Sequence, residues 1–251
     1  MTLKAKLWNK DFTLVVIGQI ISLFGNAVLR FALPLYILEQ SGSPALFGQV
    51  SALAFLPMIL LSPVGGMIAD RVNKQRIMVV LDFITSALVF GYIAISGYFS
   101  AIAIVVVLMM ALYAIQGAYS PAVQASIPLL VEEEKLVPAN AAVNLVNSLS
   151  NMLGPVIGGI LYGTFGLPIV LIVSAICFFL SAVMELFIRI PHKKQASTGN
   201  MWTTVKKDMG SSLRFMFKTK PILAKIIFIM TLFELFASSV LTVSYTHLRA
   251  H

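Results

Sequence analysis

Seven apolar blocks, each near the ~20 residues an α-helix needs to cross a hydrocarbon core, restrict this chain to folds that a bilayer permits. They fall at about 12–38, 45–69, 76–97, 100–123, 139–162, 167–188 and 221–243. In lipid every backbone N–H and C=O must be satisfied within the protein, so runs of this kind are predicted to be helical spans. The breaks carry turn chemistry: Ser41-Gly42-Ser43-Pro44, Asp70 to Gln75, Gly97 to Ser100, the Glu132-Glu133-Glu134-Lys135 run, and Gly166-Leu167-Pro168. The first block, from Asp11 to about Leu38, is too long for the core of a cleavable signal peptide and is read as a retained span. The expectation is an all-α, polytopic membrane protein.

Charge supports that reading and sets an orientation. Only 11% of the residues are charged, against about 25% in a soluble domain. The net charge of +8 would suit nucleic acid in a soluble protein. Here 15 of the 18 Lys and Arg fall on one side of the predicted topology: before span one, in the loops after spans two and four, and after span six. The loops after spans one, three and five contain none. The positive-inside rule then places the N-terminus and the 189–220 loop in the cytoplasm, against an anionic inner leaflet, and leaves nucleic acid without a role. Cys177 is the single cysteine and is read as packing; His192, His247 and His251 lie outside the apolar blocks. No metal site, cofactor or nucleotide-binding loop is expected, and no nucleophile–base arrangement points to an enzyme.

The 189–220 loop is the one long polar connection. Trp202, Val205, Met209, Leu213 and Met216 recur at helical spacing, with Lys206, Lys207, Arg214 and Lys218 largely elsewhere on the helix. The pattern predicts an amphipathic helix over about 201–218 lying on the inner leaflet; the competing reading is a linker with chance periodicity.

An internal repeat relates the first three spans to the next three. In span one, Gln19, Ser22, Asn26 and Arg30 are spaced by three, four and four; in span four, Tyr113, Gln116, Ser120 and Gln124 have the same spacings. The offset is 94 residues throughout, and Pro34 matches Pro128 at that offset. Spans two and five echo each other as Ser62-Pro63-Val64-Gly65-Gly66 and Gly154-Pro155-Val156-Ile157-Gly158-Gly159. A three-span offset reverses topology, and inverted repeats with a midplane binding site are a transporter signature. Polar stripes avoid lipid, so these two line a common cavity or make interhelical hydrogen bonds.

Three motifs carry a resemblance. Gly66-Met67-Ile68-Ala69-Asp70-Arg71-Val72-Asn73-Lys74-Gln75-Arg76 resembles the loop-two motif of the major facilitator superfamily, with Asn73 at the usual turn glycine. There Gly66 is expected to allow close helix packing, Asp70 to cap a helix or pair with Arg, and Arg71, Lys74 and Arg76 to hold the inner surface. Gly154, Pro155, Gly158 and Gly159 in span five are similar to the superfamily's antiporter motif, with Ser150 replacing its first glycine. Gln116-Gly117-Ala118-Tyr119-Ser120-Pro121-Ala122, with Ile127-Pro128 and Val137-Pro138-Ala139-Asn140, resembles a branch that includes macrolide-efflux and enterobactin-export type permeases. Tyr113 stands where many proton-coupled members carry Arg.

The resemblance implies a six-helix N-terminal bundle of two inverted three-helix repeats over 1–188, a central loop over 189–220, and a seventh helix over 221–243 opening a second bundle. It implies a secondary active transporter in a bacterial cytoplasmic (inner) membrane. The expected activity is proton-driven or other cation-driven export of small, partly hydrophobic compounds, drug-like or siderophore-like, by alternating access. An importer of the same superfamily and a non-transporting membrane interaction protein are the alternatives. Arg30, Asp82 and Glu234 are ionisable residues well inside predicted spans. Arg30 attracts an anion or pairs with an acid. Glu234 is the first choice for coupling. Asp82 is a second, or else pairs with Arg71, Lys74 or Arg76. Glu185 and Lys225 are expected to snorkel from helix ends. Residues 244–251 look non-native, so the chain is expected to be an inactive fragment; a homodimer of half-transporters is the competing view.

Overall fold

A computed structural model describes residues 7–96, 101–191, 210–211 and 214–233. Two units divide the chain, Met1–Ala196 and Ser197–His251. The first is built from α1 (Lys10–Ser41), α2 (Pro44–Arg71), α3 (Lys74–Ile95), α4 (Ala101–Leu130) and α5 (Leu136–Leu186), with a 3-10 turn at Glu133–Lys135. In the second, a π-helical turn at Phe215–Thr219 precedes an apolar helix, α6 (Pro221–Phe233). Most of the expected amphipathic helix, the remainder of span seven and the 244–251 tail lie outside the described residues.

The longest helix is two spans in one. Gly166 adopts φ 74° and ψ −176°, a conformation that a β-carbon disfavours, and it breaks α5 into arms at 136–165 and 167–186. These arms are spans five and six. Other helices outrun their apolar blocks. α1 begins where Asn9 Oδ1 accepts from the Phe12 N–H at 2.9 Å, and it ends at Gly42, whose N–H bonds to the Leu38 carbonyl. α4 continues to Leu130 although hydropathy falls at Gln124. At 1.5 Å per residue a 30-residue helix is ~45 Å long, beyond the ~30 Å hydrocarbon core. Polar residues end the hydropathy signal before they end the helix.

α1 packs along both arms of α5, α4 packs on α2, and α3 covers α4 and the second arm. The pairing repeats: span one on span five is the counterpart of span four on span two. Missing side chains set both approaches. A β-carbon on Gly154 would stand 2.3 Å from Ala27 Cβ, and one on Gly158 3.2 Å from the Val28 carbonyl oxygen. In the other pair, a β-carbon on Gly65 would stand 2.5 Å from Ala118 Cα, and one on Gly117 2.9 Å from the Met58 carbonyl oxygen. Gly66 does not make the expected close contact; its nearest neighbour would be Pro121 Cβ at 3.9 Å. Adjacent helical residues point about 100° apart, so only one of two consecutive glycines faces the crossing.

The loop between α2 and α3 also differs from expectation. Asn73 has φ −61° and is the N-cap of α3, its Oδ1 accepting from the Arg76 N–H at 3.4 Å. Its backbone is extended, so the residue at the usual turn glycine serves as a cap, and Asp70 instead occupies an exposed position in the last turn of α2. The same end of the bundle is tied across helices. Asn9 Nδ2 donates to the Leu130 carbonyl at 2.7 Å, and Gln75 Nε2 donates to the carbonyls of Glu185 and Leu186, each at 3.1 Å.

Two apolar clusters fill the interior. One contains Leu29, Leu33, Val50, Met109, Leu171 and Phe178; the other contains Phe12, Val15, Met78, Ile127, Val143 and Ile188. Buried polar side chains of Gln19, Ser22, Asp82, Ser181 and Glu185 are also enclosed by these helices. Leu56, Ile59 and Leu60 on α2 and Ile84 and Leu88 on α3 face outward, as lipid-solvated helices require.

Candidate functional site

The polar stripes of α1 and α4 meet. Arg30 Nε donates to the Tyr113 hydroxyl at 3.1 Å, and its guanidinium carbon lies 4.6 Å from the Tyr113 ring centroid and 5.6 Å from that of Phe55. Such cation–π geometry holds a charge without an acidic partner. One turn along, Asn26 Nδ2 donates to Gln116 Oε1 at 3.1 Å, and Gln116 Nε2 donates to the Ser120 hydroxyl at 3.1 Å. Gln19 Nε2 donates to the Tyr119 hydroxyl at 2.6 Å. At these levels the stripes touch directly, with side-chain amides and hydroxyls satisfying one another rather than facing across open water.

Beside them lies a cavity of about 250 Å³. Gln19, Ser120 and Gln124 line it together with Asn140, Asn144 and Asn147 from the first arm of α5. The three asparagines recur at spacings of four and three, a helical stripe legible in the sequence but not singled out there. Leu23, Val123, Ile127 and Val143 complete the wall. The lining mixes amides with apolar faces, which suits a compound that is partly hydrophobic and carries hydrogen-bonding groups. A second cavity, about 230 Å³, is lined by Ala27, Arg30, Phe31, Tyr113, Asn151 and Pro155. The span-five motif thus divides its work. Gly154 and Gly158 admit α1, Gly159 lies against the Phe31 ring, and Pro155 borders the Arg30 cavity.

Not every stripe residue faces this space. Ser22 turns toward α3, where its hydroxyl donates to Asp82 Oδ1 at 3.1 Å. Asp82 is 3% exposed, flanked by the Ser22 and Ser181 hydroxyls. Lys74 Nζ instead reaches the Asp70 carbonyl oxygen at 3.5 Å, and Arg76 is exposed. Glu185 is a clear departure from expectation. It does not snorkel: it is 0% exposed, and Oε1 accepts from the Tyr119 hydroxyl at 2.7 Å. Its side chain lies against Gly18 of α1, where a β-carbon would stand at an ordinary 3.5 Å contact from Glu185 Cγ. Ser174, Ser181 and Glu185, spaced by seven and four, form a stripe on the second arm that would have indicated an inward face. Glu234 lies outside the described residues.

Comparison with known proteins agrees with this architecture. The family profile of the Major Facilitator Superfamily matches residues 15–250. Macrolide efflux protein A of Streptococcus pyogenes is 27% identical over 185 residues, covering 73% of this chain and 46% of that protein. The lysophospholipid transporter LplT of Escherichia fergusonii is 27% identical over 205 residues, covering 80% of this chain and 48% of that protein. The multidrug efflux pump Tap of Mycobacterium bovis is 25% identical over 174 residues, covering 67% and 42% respectively. The chain spans about half the length of the curated relatives it matches.

Proposed function

Because this chain belongs to the Major Facilitator Superfamily, a family of membrane transporters and not of enzymes, we propose that its bundle serves a proton-driven exporter of small, partly hydrophobic compounds working by alternating access. The observation that carries this reading is the amide-rich wall where α1, α4 and the first arm of α5 converge on the 250 Å³ cavity. Relatives named for macrolide and multidrug efflux support the substrate class. In alternating access the pathway lies between two bundles that rock about a fixed site. The cavity wall supplied here by Gln19, Ser120 and Gln124, with Asn26 and Gln116 hydrogen-bonded to it through Ser120, is one side of such a site. The basic loops support a cytoplasmic N-terminus, and Asp82 and Glu234 are the coupling candidates on the two units.

Arg30 favours a second reading of the substrate. Its guanidinium borders the 230 Å³ cavity between the Tyr113 and Phe55 rings, a setting that attracts an anionic head group attached to an apolar body. The relative named as a lysophospholipid transporter supports an amphiphile of that kind. Efflux from cells producing a full-length, two-bundle transporter that contains this bundle tests the exporter reading. Cells preloaded with labelled macrolide should lose it faster than cells lacking the protein, and a protonophore should abolish the difference. Equal loss in both, or loss that persists without a proton gradient, would contradict it.

A further inference from the structure

Behind the cavity wall, α1, α3, α4 and the second arm of α5 enclose two acids that the cavity does not touch. Asp82 is 3% exposed and Glu185 0% exposed. Each has one oxygen engaged, Asp82 Oδ1 by Ser22 and Glu185 Oε1 by Tyr119. The other oxygen of each, Asp82 Oδ2 and Glu185 Oε2, is buried without a hydrogen-bond partner. Among the described residues, the groups bearing on the two carboxyls are Ser22 from α1, Tyr119 from α4, Ser181 from the second arm, and the carboxyls themselves, with no lysine or arginine among them. Ser22 also lies against Tyr119, so the acids belong to one connected group of side chains.

Two buried carboxylates acting on each other without a cation would leave two like charges uncompensated in a low-dielectric interior. A proton on one of them removes one charge and gives an unpartnered oxygen a hydrogen to donate. We propose that Asp82 and Glu185 form a single proton-binding site that holds one proton at neutral pH and exchanges it with the cavity through Tyr119 when Gln19 moves aside. This deepens the proton-driven reading and rests on it for its role in transport. Gln19 is the barrier because it lines the cavity and covers the Tyr119 hydroxyl at 2.6 Å. An amide donates there but does not relay. Once water replaces Gln19, a hydronium proton adds to the Tyr119 oxygen as that hydroxyl's own proton passes to Glu185 Oε1, leaving neutral water and neutral tyrosine. The reverse step returns the proton to the cavity. Movement of α1, which carries Gln19, thereby gates the site.

Infrared spectroscopy of the purified full chain in lipid bilayers tests the assignment without any transport measurement. The wild-type spectrum at neutral pH should contain a protonated-carboxyl C=O band. Its difference from the Asp82→Asn/Glu185→Gln double variant should amount to one acid group per chain. The band should shift on exchange into heavy water, and Tyr119→Phe should retain it at a changed frequency because the hydrogen bond to Glu185 is lost. Absence of the band in wild type would overturn the proposal, as would its survival in the double variant. Loss of the band on adding sodium would assign the pair to a metal cation and overturn it equally. Wild type and Tyr119→Phe remain informative if the double variant fails to fold. A wild-type chain that shows the band while cells show no proton-driven efflux would refute the transport reading and leave the site standing.

Discussion

Asn26 on α1 donates a 3.1 Å hydrogen bond from Nδ2 to Oε1 of Gln116 on α4, and this bond ties together the two helices that carry the polar wall. Gln116 passes the connection to Ser120, which lines the 250 Å³ cavity. Leucine at position 26 would leave Gln116 with an unmet acceptor beside the site and break the link that holds Gln116 and Ser120 in place. Asn26→Leu should lower substrate export about tenfold, equivalent to ~1.4 kcal/mol, at unchanged protein level. Val107→Leu, at a position 65% exposed on α4, should leave export unchanged. Initial rates of labelled macrolide efflux from matched cells check both.

The two glycines Gly154 and Gly163 share the first arm of α5 and differ in what surrounds them. A β-carbon at Gly154 would collide with Ala27 at 2.3 Å, while at Gly163 it would meet nothing within 4 Å. Gly154→Ala should destabilise the bundle by about 1–3 kcal/mol, the usual cost of overpacking. Gly163→Ala should be neutral or stabilising by up to ~1 kcal/mol, because alanine is the better helix former. Thermal unfolding in detergent should separate the two variants in opposite directions.

Single cysteines in a Cys177→Ala background test the orientation. Cysteines at Ser43, Ser100 and Thr164 should react with an impermeant thiol reagent added outside intact cells. Cysteines at Asn73, Lys135 and Ser197 should react only after permeabilisation. The reverse pattern would invert the proposed topology, and with it the direction of transport.

Much of the bundle was legible in the sequence because lipid imposes one rule on every span. Long apolar runs and basic loops mark the spans, and the 94-residue offset relates span one to span four, whose polar stripes meet in the structure. What was not legible depended on rotation about a helix axis. Gly65, not Gly66, meets α4, and Ser22 faces Asp82 although it shares a spacing pattern with Gln19 and Asn26. Glu185 lies one residue before the end of α5, where proximity to the helix end predicted escape to water. What holds it inward is distant in sequence: the Tyr119 hydroxyl on α4 donates to its Oε1 at 2.7 Å, and Gly18 on α1 lies against its side chain. Such long-range partners are not written in the helix end, although the Ser174, Ser181 and Glu185 stripe marks the face that turns inward.

Arg30 separates the two substrate classes. Arg30→Gln removes the charge while keeping a hydrogen-bonding side chain beside Tyr113. Competition by an anionic lysophospholipid for macrolide efflux should weaken at least about fivefold, ~1 kcal/mol, if Arg30 receives the head group. Equal competition against wild type and variant would remove the anion from the account.

Proton movement driven by substrate is the most direct test of the central claim. Inverted membrane vesicles from cells producing the full-length, two-bundle transporter that contains this bundle are first acidified inside by respiration, and macrolide is then added while internal pH is followed with a fluorescent dye. In an antiporter, entry of substrate is matched by exit of protons, so the interior should become less acid in proportion to substrate, and Asn26→Leu should blunt the response about tenfold. No change in internal pH on addition of a transported substrate would contradict proton-driven export.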